Sequence, residues 1–453
     1  MNKQKPQIDV VILAAGLGTR MKSSKPKVLH ELLGKPMVEY ILDAVRDLCA
    51  EPPVIVVGNQ ADLVRQKLNN KARFALQDPQ LGTADAVKSA RLMLKGKSNI
   101  VLVANSDFPL ITSETYQRLV EKHLQSGSVM TISTVVEENP RGFGRIVRDA
   151  QGRVCRIVEE KAASADELKI TELNSNPYCF DADWLWDALD RIQKSAVGEY
   201  YLTDLVEIAY RDGKLVEAYE VVDKEESIGI NNRIHLAEAT RVAQKRTNEK
   251  WMLEGVTMID PSRVYIESGV TIGRDTVLFP EVYLYGTTRI GEGCTLGPSV
   301  VMEDTEIGDG CKIKFAVLEK AKMENHVDMG PFGHLRKGAH LADHVHMGNF
   351  GEIKNSYLGE GTKMGHFSYI GDAQIGKEVN IGAGTITCNF DGENKFKTEI
   401  GDEVFIGSDT MLVAPVKIGK GAKTGAGAVV THDVDEGNVV VGVPAKPLKK
   451  KSE

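Results

Sequence analysis

Residues 266–302 read IESGVTIGRDTVLFPEVYLYGTTRIGEGCTLGPSVVM, and an aliphatic side chain returns at every sixth position: Ile266, Ile272, Leu278, Leu284, Ile290, Leu296 and Met302. A period of six fits neither an α-helix, with about 3.6 residues per turn, nor a single long strand, whose faces alternate. It fits a parallel β-helix, in which each short strand forms one side of a prism and three strands close a coil of roughly eighteen residues. After one five-residue step the pattern continues through Ile307 and Ile313. It returns at Met329, Leu335, Leu341, Met347 and Ile353, and again at Ile400, Ile406, Leu412 and Ile418. Glycine often follows directly, as in Ile272-Gly273, Ile290-Gly291, Ile381-Gly382 and Ile406-Gly407. Residues 266–430 have room for about nine such coils. The stretch CNFDGENKFKTE, residues 388–399, breaks the period. An insertion of this kind must leave the prism as a loop, and such loops tend to carry function.

Ahead of the prism the punctuation changes. Residues 255–453 hold 30 of the 43 glycines, whereas all three tryptophans, Trp184, Trp186 and Trp251, come earlier. Val10–Leu13, Val54–Val57, Ile100–Val103 and Val129–Thr134 read as buried strands, with Met37–Leu48, Ala61–Leu68 and Ala84–Leu94 at helical spacing between them. This alternation predicts an α/β fold with a largely parallel sheet, whose ligands gather beyond the carboxyl ends of its strands. The expected organisation is an α/β domain over 1–232, a linking helix over 233–254 and the β-helix over 255–453.

The chain of 453 residues is 42% hydrophobic and 26% charged, an ordinary globular composition, and its net charge is −7. That balance speaks against a nucleic-acid-binding surface; the short basic run from Lys446 to Lys451 reads as a solvated tail. No apolar run is long enough to span a bilayer, and the one after Lys5-Pro6 is too short for a signal-peptide core. Six scattered cysteines without a C-x-x-C pair read as reduced thiols. These features predict a cytoplasmic protein that does not engage nucleic acid or membrane.

Chemistry first shows after the first strand, in Leu13-Ala14-Ala15-Gly16-Leu17-Gly18-Thr19-Arg20-Met21, followed by Lys27. Small residues let backbone N–H groups approach an anion, and Arg20 and Lys27 add charge. The spacing matches neither the dinucleotide fingerprint nor the P-loop. With Pro26-Lys27-Val28-Leu29 it resembles the signature of the sugar-1-phosphate nucleotidyltransferases. Gln77 and Gln80-Leu81-Gly82-Thr83-Ala84 are similar to that family's base-reading segment. Gly142–Ile146, Ile157–Lys161 and Gly198–Asp204 are similar to its sugar-binding segments. With Gly382–Gly392 in the second half, the ordered set resembles the family of bifunctional N-acetylglucosamine-1-phosphate uridyltransferase/glucosamine-1-phosphate acetyltransferases along nearly the whole chain.

For the first half the resemblance implies a Rossmann-like nucleotidyltransferase domain that transfers uridylyl from UTP to N-acetylglucosamine 1-phosphate. It implies Leu13, Ala14, Ala15, Gly16, Lys27, Gln77, Gly82, Thr83, Asn105, Ser106, Asp107, Gly144, Glu159, Asn174 and Asn231 as nucleotide and sugar contacts. Arg20 and Lys27 are the expected catalytic cations, and Asp107 and Asn231 the expected Mg²⁺ ligands. Outside such a frame, an aspartate at a strand end is more often a turn residue, and Asn231 could simply open a helix. The chain departs from the family in reading Ser106 before Asp107, where glycine is usual, and Asn174-Ser175-Asn176 in place of Asn-Thr-Gly.

The second half resembles the hexapeptide-repeat acyltransferases, whose prism is left-handed, and the resemblance implies acetyl transfer from acetyl-CoA to glucosamine 1-phosphate. His366 is the implied base. Arg336, Lys354, Tyr369, Asn380 and Lys395 are the implied acceptor contacts, and Ala383, Asn389, Phe390, Ser408 and Ala426 the implied acetyl-CoA contacts. The repeat puts His366 and Ala383 on one side of the prism in adjacent coils, and stacks Arg336 under Lys354. Phe390 replaces a common tyrosine. No arginine stands near Val443-Pro444-Ala445, where the family often has one for the coenzyme, and Lys446 is the expected substitute. His340, His344 and His346 suggest zinc, but residues six apart occupy different sides of a prism and should diverge. A homotrimer with acetyl-transfer sites shared between prisms, and a product destined for the cell envelope, are implied as well. The alternative is a single nucleotidyl-transfer activity with a regulatory or oligomerising β-helix.

Overall fold

The computed structural model describes residues 6–448 except 50, 59, 141 and 197; residues 1–5 and the end of the basic run, 449–451, lie outside them. The chain divides into two compact units, one ending at Ala243 and the other beginning at Gln244. The predicted linking helix is present as Arg233–Leu253, and the division falls inside it. No helix among the described residues is long and apolar enough to cross a membrane, and all six cysteines are free.

The first unit is built on a nine-stranded sheet. Its strands are β1 (Ile8–Leu13), β2 (Val54–Val57), β3 (Arg73–Leu76), β4 (Ile100–Asn105), β5 (Met130–Val136), β6 (Arg145–Arg148), β7 (Val154–Val158), β8 (Glu172–Asp181) and β9 (Val216–Glu220). The main order is β9-β5-β8-β4-β1-β2-β3. β1 lies between β2 and β4 and is parallel to both. Chain connections leave in opposite directions there, so a crevice opens at the carboxyl ends of β1 and β4. Val10–Leu13 of β1 and all of β2 read as unbroken apolar runs because both faces of the sheet are covered, leaving Val10, Val11, Ile12 and all of Val54–Val57 buried.

The expectation of a largely parallel sheet needs correcting on one side. β8 runs antiparallel to both β4 and β5, and β6 and β7 form an antiparallel pair. β8 escapes sequence reading because it is buried on both faces from Ser175 to Phe180, so no alternation marks it.

The second unit is the β-helix. Its three faces are sheets of twelve, ten and nine strands, joined coil to coil in parallel register except for the last strand, Lys446–Pro447, which turns back antiparallel to Val439–Val441. The six-residue aliphatics fill its interior, Leu278, Leu284, Leu296 and Met302 with no exposure at all. The coil is not uniformly eighteen residues. Val282 pairs with Val300 at that step, but Val300 pairs with Ala316 and Ala316 with Gly333, because corners there are shorter. Glycine follows the aliphatic residue where coils touch: a Cβ on Gly273 would lie 2.5 Å from the carbonyl carbon of Gly291. The period break is a loop, since Ala373 pairs across it with Thr398.

Candidate active sites

The crevice between β1 and β4 assembles from its backbone outward. Ser106 donates its N–H to the carbonyl of Leu13 at 3.1 Å, and Ala14 donates to Val56 at 2.9 Å, so the strand ends are tied together. The loop after β1 is open where an anion would need it: a Cβ on Gly16 would meet nothing within 4 Å. Gly18 has a different task. Its φ is +60°, and a Cβ there would press on the Cβ of Lys27 at 2.8 Å, so its bare backbone lets Lys27 reach the crevice.

There the Lys27 ammonium donates to Asp107 Oδ2 at 2.8 Å and to Asn231 Oδ1 at 3.0 Å. Arg20 donates to the same Asn231 oxygen at 2.9 Å. Residues 20, 27, 107 and 231 therefore form one constellation, and the main-chain N–H of Ile230 closes it by donating to the carbonyl of Asp107 at 2.8 Å. Two oxygens converging on one cation suit Mg²⁺, which takes one or two protein carboxylate or amide oxygens and leaves its other positions to water and phosphate. Among the described residues no cluster of three or more His, Cys, Asp or Glu offers a richer site.

The base-reading segment packs beside it. Gln77 is buried and donates to the Gly82 carbonyl at 2.9 Å and to Asp85 at 2.8 Å. Gly82 has φ +107°, and a Cβ on it would lie 2.5 Å from the Tyr200 carbonyl oxygen. Thr83 accepts from the Leu202 N–H at 2.9 Å, so the 80–84 and 198–204 segments meet. On the sugar side Asn174 donates its N–H to the Gly144 carbonyl and its Nδ2 to the Tyr178 hydroxyl, both at 2.8 Å. Its Oδ1 is buried without a partner, as are those of Asn105 and Asn176, leaving acceptors for a ligand to satisfy. Burial, and then the Asp204 carboxylate, hold the Glu159 carboxyl above its usual range. Ser106 is itself buried, so the departure from glycine is accommodated.

Gln80, the first residue of the quoted 80–84 segment, donates to the Ala15 carbonyl at 2.5 Å and so braces the anion loop. The sequence reading passed over one neighbour, Tyr178. The Tyr178 phenol, whose ionisation burial strongly opposes, accepts from Asn174 Nδ2 at 2.8 Å and feels the charges of both Glu159 and Asp107. Its position on the same strand as Asn174, four residues on, was the available signal.

On the prism, strand register places the other predicted residues. Lys363 pairs with Asn380, Ile381 with Ile406, and Phe405 with Lys423. His366, Ala383, Ser408 and Ala426 each follow such a strand by the same offset and so form one column, at the corner between the twelve- and ten-stranded faces. At the far corner of the ten-stranded face, Arg336 and Lys354 stack in successive coils. Arg336 donates to Glu352 at 2.8 Å. Contact with Lys395, and then the charges of Lys395 and Arg336, push the Lys354 ammonium below its ordinary pKa. The 388–399 loop brings Lys395 there through a bridge between Phe390 and Lys395. Tyr369 lies on the strand between the two corners, whereas Asn380 stands on the neighbouring face, so one chain does not gather every predicted acceptor contact. Lys446 is exposed on the last strand. The histidines diverge as expected: His340 pairs with Glu324 on one face and His346 with Asp328 on another, while His344 stacks on His326 at a corner.

A Rossmann-ordered sheet with a cationic crevice, followed by a hexapeptide prism whose corner column begins at His366, defines a two-domain transferase. Residues 9–252 match the nucleotidyl transferase family, residues 287–314 the hexapeptide repeat of succinyl-transferase, and residues 397–432 the bacterial transferase hexapeptide of six repeats. The chain is 48% identical over 427 residues to the bifunctional protein GlmU of Geobacillus sp. (strain WCH70), covering 94% of this chain and 93% of that one. It is 46% identical over 432 residues to the protein of the same name from Heliobacterium modesticaldum, with 95% and 94% covered. To that from Trichlorobacter lovleyi it is 47% identical over 435 residues, with 95% of each covered. The chain belongs to the GlmU family of bifunctional proteins. It is therefore an enzyme of two activities, uridylyl transfer to N-acetylglucosamine 1-phosphate and acetyl transfer to glucosamine 1-phosphate, using UTP, acetyl-CoA and Mg²⁺. The single-activity alternative is set aside.

Proposed function

We propose the following assignment of residues to the two activities. In uridylyl transfer a phosphate oxygen of the sugar attacks the α-phosphorus of UTP, and the bond to the departing pyrophosphate breaks. The attacking group is already anionic, so the protein's work is alignment and charge neutralisation. Arg20 and Lys27 face the triphosphate. Gln77, Gly82 and Thr83 hold the base, and Gly144, Glu159 and Asn174 the amino sugar. Asp107 and Asn231 hold Mg²⁺, which supplies further positive charge beside the phosphates.

In acetyl transfer the amine nitrogen attacks the thioester carbonyl, His366 takes the N–H proton, the C–S bond breaks and the coenzyme leaves as a thiolate that is then protonated. Arg336, Lys354 and Lys395 hold the sugar phosphate, with Tyr369 and Asn380 on the ring. The column Ala383, Ser408 and Ala426, with Asn389, Phe390 and Lys446, holds acetyl-CoA. The observation that carries this reading is the three-cation cluster at the far end of the Ser368–Gly371 strand, which begins two residues after His366.

These groups lie on two faces and two corners of a convex prism, which cannot by itself enclose a small sugar. Beside His366 a rail of aromatic rings, Phe332, Phe350 and Phe367, stays 55%, 58% and 56% exposed. Rails of that kind on an isolated chain are covered in an assembly. Both features support a homotrimer whose acetyl-transfer sites lie between prisms; its substrates are small molecules and its compartment the cytoplasm.

Supplied with glucosamine 1-phosphate, acetyl-CoA, UTP and Mg²⁺, the protein is expected to release coenzyme A and pyrophosphate in equal amounts, with no pyrophosphate when acetyl-CoA is omitted. Pyrophosphate without acetyl-CoA would overturn the order of the two steps. Mixing chains carrying His366→Ala with chains carrying Arg336→Ala is expected to restore part of the acetyl transfer that neither shows alone. A monomer by sedimentation, with no restoration, would overturn the shared site.

A further inference from the structure

Asp372 has no role in the assignments above, yet both ends of the 388–399 loop meet it. Its Oδ2 accepts from Asn389 Nδ2, at the loop's entry, at 2.5 Å. Its main-chain carbonyl accepts the N–H of Thr398, at the loop's exit, at 3.1 Å. Asp372 Oδ1 accepts from Asn355 Nδ2 at 2.6 Å, and the Asp372 N–H donates to the carbonyl of Lys354 at 3.1 Å. Four bonds thus tie one residue to the loop and to the strand that ends in Lys354. The surroundings are tight: a Cβ on the preceding Gly371 would lie 2.5 Å from Tyr369 Oη and 2.9 Å from Asn389 Nδ2.

Two further features mark the position. Asp372 has φ +51°, the left-handed conformation that this corner also imposes on Asn355 one coil back (φ +46°) and that glycine adopts without cost. Its carboxylate is also the negative charge acting on Lys354 against the positive charges of Lys395 and Arg336.

We propose that Asp372 is a positioning residue for acetyl transfer: it clamps the two ends of the 388–399 loop against the Lys354 strand, and so sets where Lys395 and the Asn389-Phe390 segment stand relative to each other. This rests on the assignment of Lys354 and Lys395 to the sugar phosphate and of Asn389 and Phe390 to acetyl-CoA. The two consequences of losing the carboxylate oppose each other. Without the tether, the coenzyme segment loosens. Without the charge, three cations face the sugar phosphate with one fewer competitor.

The test compares wild type with Asp372→Asn and Asp372→Gly in the full chain. Glycine removes the carboxylate and relieves the backbone, so any loss it causes does not come from strain. The KM for acetyl-CoA is expected to rise about tenfold in Asp372→Gly, the size of one lost tethering bond. The KM for glucosamine 1-phosphate should hold or fall, and uridylyl transfer and Tm should stay as in wild type. Trypsin should cut after Lys395 and Lys397 faster in the glycine variant, with asparagine between the two. Equal rises in both KM values, or tryptic rates and KM values unchanged in both variants, would overturn the proposal. A wild type without acetyl transfer would instead overturn the assignment it rests on, and the tryptic rates would still decide whether Asp372 holds the loop.

Discussion

Alanine in place of His366 is expected to stop acetyl transfer while pyrophosphate release from UTP and N-acetylglucosamine 1-phosphate continues unchanged. A positioned general base contributes about a hundred- to ten-thousand-fold, and the loss should fall in that range when coenzyme A release is followed by thiol titration. The effect should fall on kcat, because an imidazole that only accepts a proton adds little to ground-state binding. Folding should not suffer: His366 is exposed at a corner and lies outside the stacked core. An unchanged Tm beside lost activity would separate catalysis from stability. The nearest rival imidazole is His346. It is bonded through Nδ1 to Asp328 at 2.6 Å, and its Nε2 lies 3.9 Å from where a Cβ on Gly365 would stand. Retained acetyl transfer in His366→Ala that is lost in His346→Ala would move the base one coil back.

The prism was legible because its rule is one-dimensional. Each coil contacts only its neighbours, so a six-residue period in the sequence is a stack in space, and Ile266, Leu284 and Met302 fall into register without further information. The same logic predicted the His366–Ala383 column and the divergence of His340 from His346. What the period could not reach was whatever folds by its own bonds. The 388–399 loop is shaped by Asp391, which accepts the N–H groups of Glu393 and Asn394 at 2.8 and 2.7 Å, and only that hairpin carries Lys395 to Lys354. Asp372 was equally hidden, since its role depends on a side chain meeting a residue across the loop.

In the α/β half the motifs lie far apart in sequence, and only the switch in strand order brings Lys27, Asp107 and Asn231 to one point. The resemblance supplied that grouping; local pattern alone would have left Asp107 as a turn residue. The antiparallel strand Glu172–Asp181 was missed for the opposite reason, because burial on both faces erased its alternation. Tyr178, on that strand, went with it.

The grouping makes Asp107 the most exposing substitution in this half. Its backbone anchor is independent of its side chain, because the Ile230 N–H bonds to its carbonyl at 2.8 Å. Asp107→Ala should therefore leave the crevice built but remove the carboxylate that meets Lys27, a pair whose side chains are only 14% and 22% exposed. In that largely buried setting Asp107 orients the Lys27 ammonium, and displacing a cation aimed at a transferring phosphoryl group costs about a hundredfold to a thousandfold; a role as metal ligand would add to the loss. Pyrophosphate release with Mg²⁺ is expected to fall at least that far. Acetyl transfer should persist as the control for folding. Asp107→Asn separates the two roles: it keeps the oxygen and removes the charge. Partial recovery as Mg²⁺ is raised would mark Asp107 as a metal ligand, since weakened binding yields to concentration. A loss in Asp107→Asn that no Mg²⁺ concentration repairs, matched by Lys27→Ala, would instead make Asp107 the partner that orients Lys27. Pyrophosphate release undiminished in Asp107→Ala would remove the carboxylate from the reaction altogether and leave Arg20, Lys27 and Asn231 to face the triphosphate without it.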